Sequence, residues 1–184
     1  MYYDIFILGC LMDGPRHGYN IKKLLSERFS ACTTINNNTL YSLLKRYEQA
    51  GDITKEVELC EGKPNRNIFS ITHKGRRQFI SILRDIPDMV IKNRDEYMMR
   101  LYYFHLLDIP TRKKLLKGRE KYLIDSRDCV EAQTHMEATL FVPVKIELQE
   151  FHLRLLGSEL ELIAQMKEKL DGPCPVSDDG NLIL

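Results

Sequence analysis

Apolar residues recur at helical spacing in three successive segments of the N-terminal part of the chain. The first is an apolar run over residues 5–12, which ends at Asp13-Gly14-Pro15, where glycine and proline both oppose continuation of a helix. In the next two segments, apolar side chains repeat every three or four residues over 21–29 and 40–47. The pattern therefore predicts three helices in quick succession.

Capping residues mark where these helices begin and end. Asn36 is suited to cap the first turn of the third helix, and Gly51 can end that helix in the left-handed conformation. Thr72 can cap a further helix that runs to about Arg84.

Two short segments between Gly51 and Thr72 have the pattern of strands. Residues 53–59 and 68–71 flank the polar stretch 61–66, which predicts a β-hairpin with an exposed tip. Three helices, a hairpin and a helix is the order of a winged helix-turn-helix domain.

The segment 85–88 interrupts the periodicity, and helical stretches follow over about 93–108, 111–140 and 143–171. The fold class is therefore predicted to be mainly α with a small β-hairpin. We expect a winged helix-turn-helix DNA-binding domain over 1–85, a helical, coiled-coil-like dimerisation domain over 89–171 and a flexible tail over 172–184.

The last two helices are too long for an 85-residue domain to cover, because about 30 residues span roughly 45 Å. Their apolar residues repeat near heptad spacing on otherwise polar surfaces, and an identical chain is the simplest partner. The residues expected to form this homodimer are Leu116, Leu123, Val130, Leu148, Phe151, Leu155, Leu162 and Met166.

Charge is divided unevenly along the chain. Residues 1–84 carry 13 basic and 8 acidic side chains, whereas residues 85–184 carry 14 and 18. The positive N-terminal part favours phosphate contacts, and its modest charge suggests that tight binding needs two copies.

The sequence gives little support for a membrane protein, a secreted protein, a metalloprotein or an enzyme. The longest apolar run has eight residues, against about 20 for a membrane span, and the acidic start lacks the basic region of a signal peptide. The five cysteines form no Cys-x-x-Cys pair. We expect a cytoplasmic protein with reduced thiols, no membrane contact, no cofactor, no metal and no enzymatic activity.

The start of the third helix carries DNA-reading chemistry. Asparagine can bond bidentately to an adenine edge, serine and threonine can reach bases or phosphates, and the first-turn N–H groups can hold a phosphate. Capping is the alternative, but one asparagine suffices for a cap and three are present. The candidate residues are Asn36, Asn37, Asn38, Thr39, Tyr41, Ser42 and Lys45.

The hairpin tip supplies a second candidate contact. Lys63, Asn65 and Arg66 could lie along the sugar-phosphate backbone or enter a minor groove. A solubilising turn is the alternative. Because a third helix and a wing on one face form a single footprint, the two signals support each other.

A series of short motifs runs along residues 5–80: Gly14-Pro15-x-His17-Gly18-Tyr19, Leu40-Tyr41-x-Leu43-Leu44-x-Arg46, Gly51, Lys63-Pro64-x-Arg66-x-x-Phe69 and Ile71-Thr72-x-x-Gly75. In their order and spacing, these motifs resemble the PadR family of bacterial transcriptional regulators. The resemblance implies a winged helix-turn-helix domain and a helical C-terminal dimerisation domain. The length of the tail resembles the longer-tailed subgroup with a virulence-activator-like C-terminal domain.

Some positions depart from the family pattern. Asn37-Asn38 stands where Pro-Gly is common, Tyr47 replaces a usual leucine, and Asp52 follows Gly51 where leucine is frequent. The asparagine pair alters the helix end that meets bases, so the family's operator sequence cannot be carried over.

The sequence thus predicts a dimeric, sequence-specific regulator of transcription, by default a repressor, that binds an inverted-repeat DNA operator. A small-molecule effector is a possible partner. The alternative is a winged-helix protein-interaction module without DNA binding, which would expose apolar groups at the helix start and wing instead.

Several other residues have two interpretations. Arg46 can pair with an acid or touch DNA, whereas Tyr19 is expected in the core. A basic cluster over 112–121 is either a solvated helix face or a second nucleic-acid contact. The aromatic and methionine residues over 97–104 either line an effector pocket or pack against the winged helix.

Overall fold

The computed structural model describes residues 2–28, 35–59, 66–140 and 143–171. These residues form two compact units, one of residues up to Asp85 together with Arg94–Leu106, the other of Ile86–Asn93 together with the residues from Leu107 onward. The elements follow in this order: α1 (Tyr2–Met12), β1 (Arg16–His17), α2 (Gly18–Arg28), α3 (Asn37–Ala50), β2 (Ile53–Glu58), β3 (Arg66–Ile71), α4 (His73–Arg84), α5 (Asp88–Lys92), α6 (Arg94–Tyr102), a 3-10 turn (Phe104–Leu106), α7 (Ile109–Leu140) and α8 (Pro143–Asp171).

Helix α1 forms the centre of the N-terminal unit. Ile5, Phe6, Ile7, Leu8 and Leu11 are each at most 1% exposed, which explains why its sequence is apolar on every side rather than along one stripe. Helices α2, α4 and α6 and strand β3 all pack against it. At about 1.5–3 kcal/mol for each large apolar side chain buried, the burial of this helix stabilises the unit.

The described strands form one antiparallel sheet in the order β1-β3-β2. The predicted hairpin is confirmed, with Ile53 opposite Ile71 and Glu58 opposite Arg66. The sheet has a further strand that the sequence pattern did not predict, because β1 pairs with the other edge of β3. The turn before β1 uses Gly14 at a φ of 136°, a value that favours glycine.

The predicted helix ends are confirmed. The Asn36 side chain accepts a hydrogen bond from the Thr39 N–H, Gly51 ends α3 at a φ of 74°, and Thr72 caps α4 through the Gly75 N–H. Leu40, Leu44 and Tyr47 make up the buried side of α3.

The helix expected over about 93–108 is divided in the structure. It consists of α6 and the 3-10 turn, and the short helix α5, which was not predicted, precedes it. Helix α6 is anchored in the N-terminal unit by Arg100, which is 1% exposed and bonds to Glu96 and to the Ile82 carbonyl. Burial lowers the pKa of Arg100, and the neighbouring carboxylates of Glu96 and Asp85 oppose that shift.

Helices α7 and α8 form an antiparallel pair in the second unit. Lys113 near the start of α7 bonds to Asp171 at the end of α8, at 2.6 Å. Midway along, Arg119 and Glu159 form a buried ion pair, with side chains 3% and 6% exposed. The described helices include none that is long and apolar enough to cross a membrane.

Candidate nucleic-acid interface

The three asparagines at the start of α3 are in different surroundings. The Asn36 Oδ1 accepts the Thr39 N–H at 2.7 Å, so this residue acts as the helix cap. The Asn37 Oδ1 accepts a hydrogen bond from the Lys22 Nζ of α2 at 2.9 Å. Asn38 is exposed. The structure therefore gives the first two asparagines contacts within the domain.

The outer face of α3 is polar and exposed. Asn38, Tyr41, Ser42 and Lys45 follow one another at spacings of three, one and three residues and are all exposed, which places them on one side of the helix. Thr39 is half-buried. This face offers amide, phenol, hydroxyl and ammonium groups, which can form hydrogen bonds with base edges and phosphates.

A surface cleft of about 480 Å³ lies beside this face, where the start of α2 meets α3 and the sheet; its lining residues are His17, Gly18, Tyr19, Asn20, Tyr41, Arg66 and Asn67. Tyr41 packs over Gly18, where a Cβ atom would lie 2.9 Å from the Tyr41 hydroxyl oxygen. Arg66 is exposed at the start of β3. The cleft thus joins α3 to the base of the wing.

Tyr19 was expected in the core, and this was wrong because the side chain is 71% exposed. The buried side of α2 contains Ile21 and Leu25, and Tyr19 lies two residues before Ile21, roughly 200° around the helix. The helical period therefore already separated Tyr19 from the buried stripe. Tyr19 and Asn20 are exposed and line the cleft. Neither residue was included in the DNA-binding site predicted from the sequence.

Of the predicted wing contacts, Arg66 lies within the described chain, whereas Lys63 and Asn65 lie outside the described residues. Arg66 stands opposite Glu58 in the sheet register. The Glu58 carboxylate also lies 3.6 Å from His17 Nε2. Acidic and basic groups therefore alternate across the base of the wing.

Arg46 pairs with an acid. Its guanidinium bonds to Asp4 of α1, and the Tyr47 hydroxyl donates to the same carboxylate. Burial and the Asp4 carboxylate raise the pKa of Tyr47. These bonds tie the C-terminal half of α3 to the central helix α1, so Tyr47 has a polar role that leucine could not supply.

The basic cluster over 112–121 is divided by the structure. Arg112 and Arg119 are 3% and 2% exposed, and they bond to the Leu107 carbonyl and to Glu159. Lys113 bonds to Asp171. Lys113, Lys114, Lys117 and Lys121 are the exposed lysines of the cluster. Because the two arginines are buried, the cluster is a solvated helix face rather than a continuous basic surface.

The aromatic run over 97–104 packs in the N-terminal unit. Tyr97, Met99, Tyr103 and Phe104 are at most 6% exposed, and the Tyr103 ring meets Phe79 of α4 edge to face at 5.1 Å. Of the two interpretations of this run, core packing describes these four residues. Among the described residues, no group of three or more His, Cys, Asp or Glu side chains could hold a metal ion.

The predicted dimerisation residues fall into two sets. Leu116, Leu123 and Val130 on α7 are buried within their own unit, and Met166 is half-buried. The others form an exposed apolar stripe on α8, which also includes Val144: Leu148, Phe151, Leu155 and Leu162, between 39% and 63% exposed.

A family model matches the N-terminal part of the chain. Residues 7–81 match the model of the "Transcriptional regulator PadR-like family". The chain is 25% identical over 116 residues to the "Negative transcriptional regulator PadR" of Bacillus subtilis (strain 168), a match that covers 61% of this chain and 62% of that protein.

Two solved structures align over most of the chain. One is smu.1604c from Streptococcus mutans UA159, at 24% identity and a TM-score of 0.43, covering 90% of this chain and 98% of that chain. The other is Bacillus subtilis PadR in complex with operator DNA, at 18% identity and a TM-score of 0.45, covering 89% of this chain and 99% of that chain.

Proposed function

We propose, from the premise that residues 7–81 form a PadR-like transcriptional regulator domain, that this chain is a homodimeric, sequence-specific DNA-binding repressor. The curated relative is by its name a negative regulator, which supports repression as the direction of control. The proposal gives the chain no catalytic role and places it in the cytoplasm, with operator DNA and a second copy of itself as partners.

The observation that carries the proposal is the continuous polar surface made by α3 and the adjoining cleft. Asn38, Ser42 and Lys45 line the outer face of α3, and Tyr19 and Arg66 are brought beside it across the cleft. In this proposal α3 enters a major groove, while Tyr19 and Arg66 contact the flanking phosphates. Lys63 and Asn65, which lie outside the described residues, are the further wing contacts of this proposal.

The apolar stripe of α8 supports the dimer. Val144, Leu148, Phe151 and Leu155 are about half exposed or more, and such a contiguous apolar surface is typical of an interface between proteins. A twofold dimer presents two copies of α3, which fits an inverted-repeat operator with half-sites about 34 Å apart. No residue is assigned to an effector, because Tyr97, Met99, Tyr103 and Phe104 of the aromatic run pack in the core.

The DNA assignment predicts a large loss of affinity in the triple variant N37A/N38A/R66A. Each hydrogen-bonded pair with a base or phosphate is worth about 1–3 kcal/mol, so binding to the duplex upstream of its own coding region should weaken by about 100-fold or more. Fluorescence anisotropy measures this change. The matched control is R127A/Q133A/Q165A, which removes one guanidinium and two amides from α7 and α8 and should bind as wild type does. Unchanged affinity in the first variant would contradict the assignment.

The dimer assignment predicts dissociation when a charge enters the apolar stripe. Phe151 occurs twice in a twofold interface, and the burial of each aromatic ring is worth about 1.5–3 kcal/mol. The variant F151E should therefore raise the dimer dissociation constant by about 100-fold or more, measured by sedimentation equilibrium. A164E places the same charge at an exposed position on the other side of α8 and should leave the dimer intact. An F151E chain that remains dimeric at all concentrations would contradict the proposed interface.

A protein-interaction module is the second candidate, favoured by one observation. Val57 of β2 and Leu59, the residue after that strand ends, are 53% and 81% exposed, which is apolar surface of the kind a protein partner covers. If V57S/L59S no longer bound a protein partner while its DNA affinity stayed unchanged, this second role would be supported.

A further inference from the structure

The asparagines 36, 37 and 38 have the same side chain but different freedom to bond with a ligand. A bidentate bond to adenine needs both ends of the amide, because the oxygen accepts from the adenine amino group and the nitrogen donates to the ring N7. The oxygen has two lone pairs, so one that already accepts a bond within the domain can accept a second, but its direction is then set by the domain rather than by the base.

Two of the three oxygens are in use. The Asn36 Oδ1 accepts the Thr39 N–H at 2.7 Å, a bond that also caps α3. The Asn37 Oδ1 accepts the Lys22 ammonium at 2.9 Å, a bond between α2 and α3. The Lys22 ammonium occupies one of the two lone pairs of the Asn37 oxygen and holds that amide toward α2.

Asn38 lies on a different side of the helix from Asn37. Asn38 is followed at helical spacing by the exposed residues Tyr41, Ser42 and Lys45, which places it near the centre of the outer face. Asn37 is also exposed, but it lies roughly 100° around the helix, toward the side of the buried Leu40 and Leu44. Asn38 is therefore the asparagine that the polar outer face of α3 presents to a groove.

We propose that Asn38 is the specificity-determining residue of this chain and that it reads an adenine in each half of the operator. The inference rests on the proposed DNA-binding function and assigns its base selectivity. It also separates three adjacent residues by role: Asn36 caps the helix, Asn37 joins α2 to α3, and Asn38 reads the base.

The test begins with wild-type protein, which selects its preferred duplexes from a pool with a randomised core. Binding is then measured to duplexes in which each selected base pair is changed in turn. In N38A, discrimination at one A·T position in each half-site should fall by about 10- to 100-fold, while affinity for a scrambled duplex stays the same. N38Q, whose amide can make the same pair, should keep part of the preference. N37A should weaken binding to every duplex alike and leave the adenine preference unchanged.

The outcomes separate this inference from the function on which it rests. If wild type is selective and N38A retains every base preference, or if N37A loses the adenine preference instead, the inference is wrong and the proposed function stands. If wild type selects no sequence and binds the scrambled duplex equally well, the proposed function fails as well.

Discussion

Replacing Arg119 with alanine is expected to lower the free energy of unfolding by about 3–5 kcal/mol. The Arg119 Nε donates to Glu159 Oε1 at 2.7 Å, and the Arg119 Nη2 donates to Glu159 Oε2 at 3.2 Å. The two hydrogen bonds form a bidentate ion pair between α7 and α8. A further nitrogen donates to the Ile91 carbonyl of α5. Alanine would leave the Glu159 carboxylate buried without this guanidinium, and a buried charge that loses its partner is strongly destabilising.

Urea denaturation followed by circular dichroism measures the effect, and two further variants define its origin. R127A removes an exposed guanidinium from the same helix, whose partners are Asp128 and Glu131, and should cost less than about 1 kcal/mol. R119M/E159L removes both charges and should recover most of the stability. If R119A and R127A cost the same, the buried pair is not a structural requirement.

The variant G75A is expected to destabilise the winged domain by about 1–3 kcal/mol or more. A Cβ atom at Gly75 would lie 2.0 Å from the Asp52 carbonyl oxygen and 2.9 Å from its carbon. These are backbone atoms that cannot rotate away, and the same oxygen accepts the Thr72 N–H at 2.9 Å. Alanine must therefore push α4 away from the start of β2.

The variant G157A should stabilise the chain, the opposite of the effect expected for G75A. Among the described residues, no heavy atom lies within 4 Å of where a Cβ atom would be placed at Gly157 of α8. Alanine then adds helix propensity at no steric cost and should stabilise the chain by about 0.5–1 kcal/mol. The comparison uses thermal unfolding of both variants beside wild type. Equal shifts in the same direction would contradict the close approach at Gly75.

Features fixed by neighbouring residues could be predicted from the sequence. Asn36, Gly51 and Thr72 act where they were expected, because a cap depends on a side chain and the backbone within a few residues of it. Features that depend on distant partners were missed. Strand β1 has two residues, and it is a strand only because β3 lies beside it.

In the candidate site too, features set by neighbouring residues were predicted and features set by distant partners were not. Composition indicated a polar start for α3, but the separate contacts of Asn36 and Asn37 depend on Thr39 and on Lys22. The Lys22 contact joins two helices and has no signature in the spacing of residues. A second chain was expected to cover the apolar residues of the two long helices. In the structure, Leu116 and Leu123 of α7 are already buried within their own unit.

A salt titration of wild-type protein tests the central claim most directly. The protein is titrated with the duplex upstream of its own coding region and, in parallel, with a scrambled duplex of the same composition. A sequence-selective DNA-binding regulator should bind the first duplex saturably and much more tightly than the second, with affinity that falls steeply as salt rises. Failure to bind either duplex even at low salt would contradict the claim.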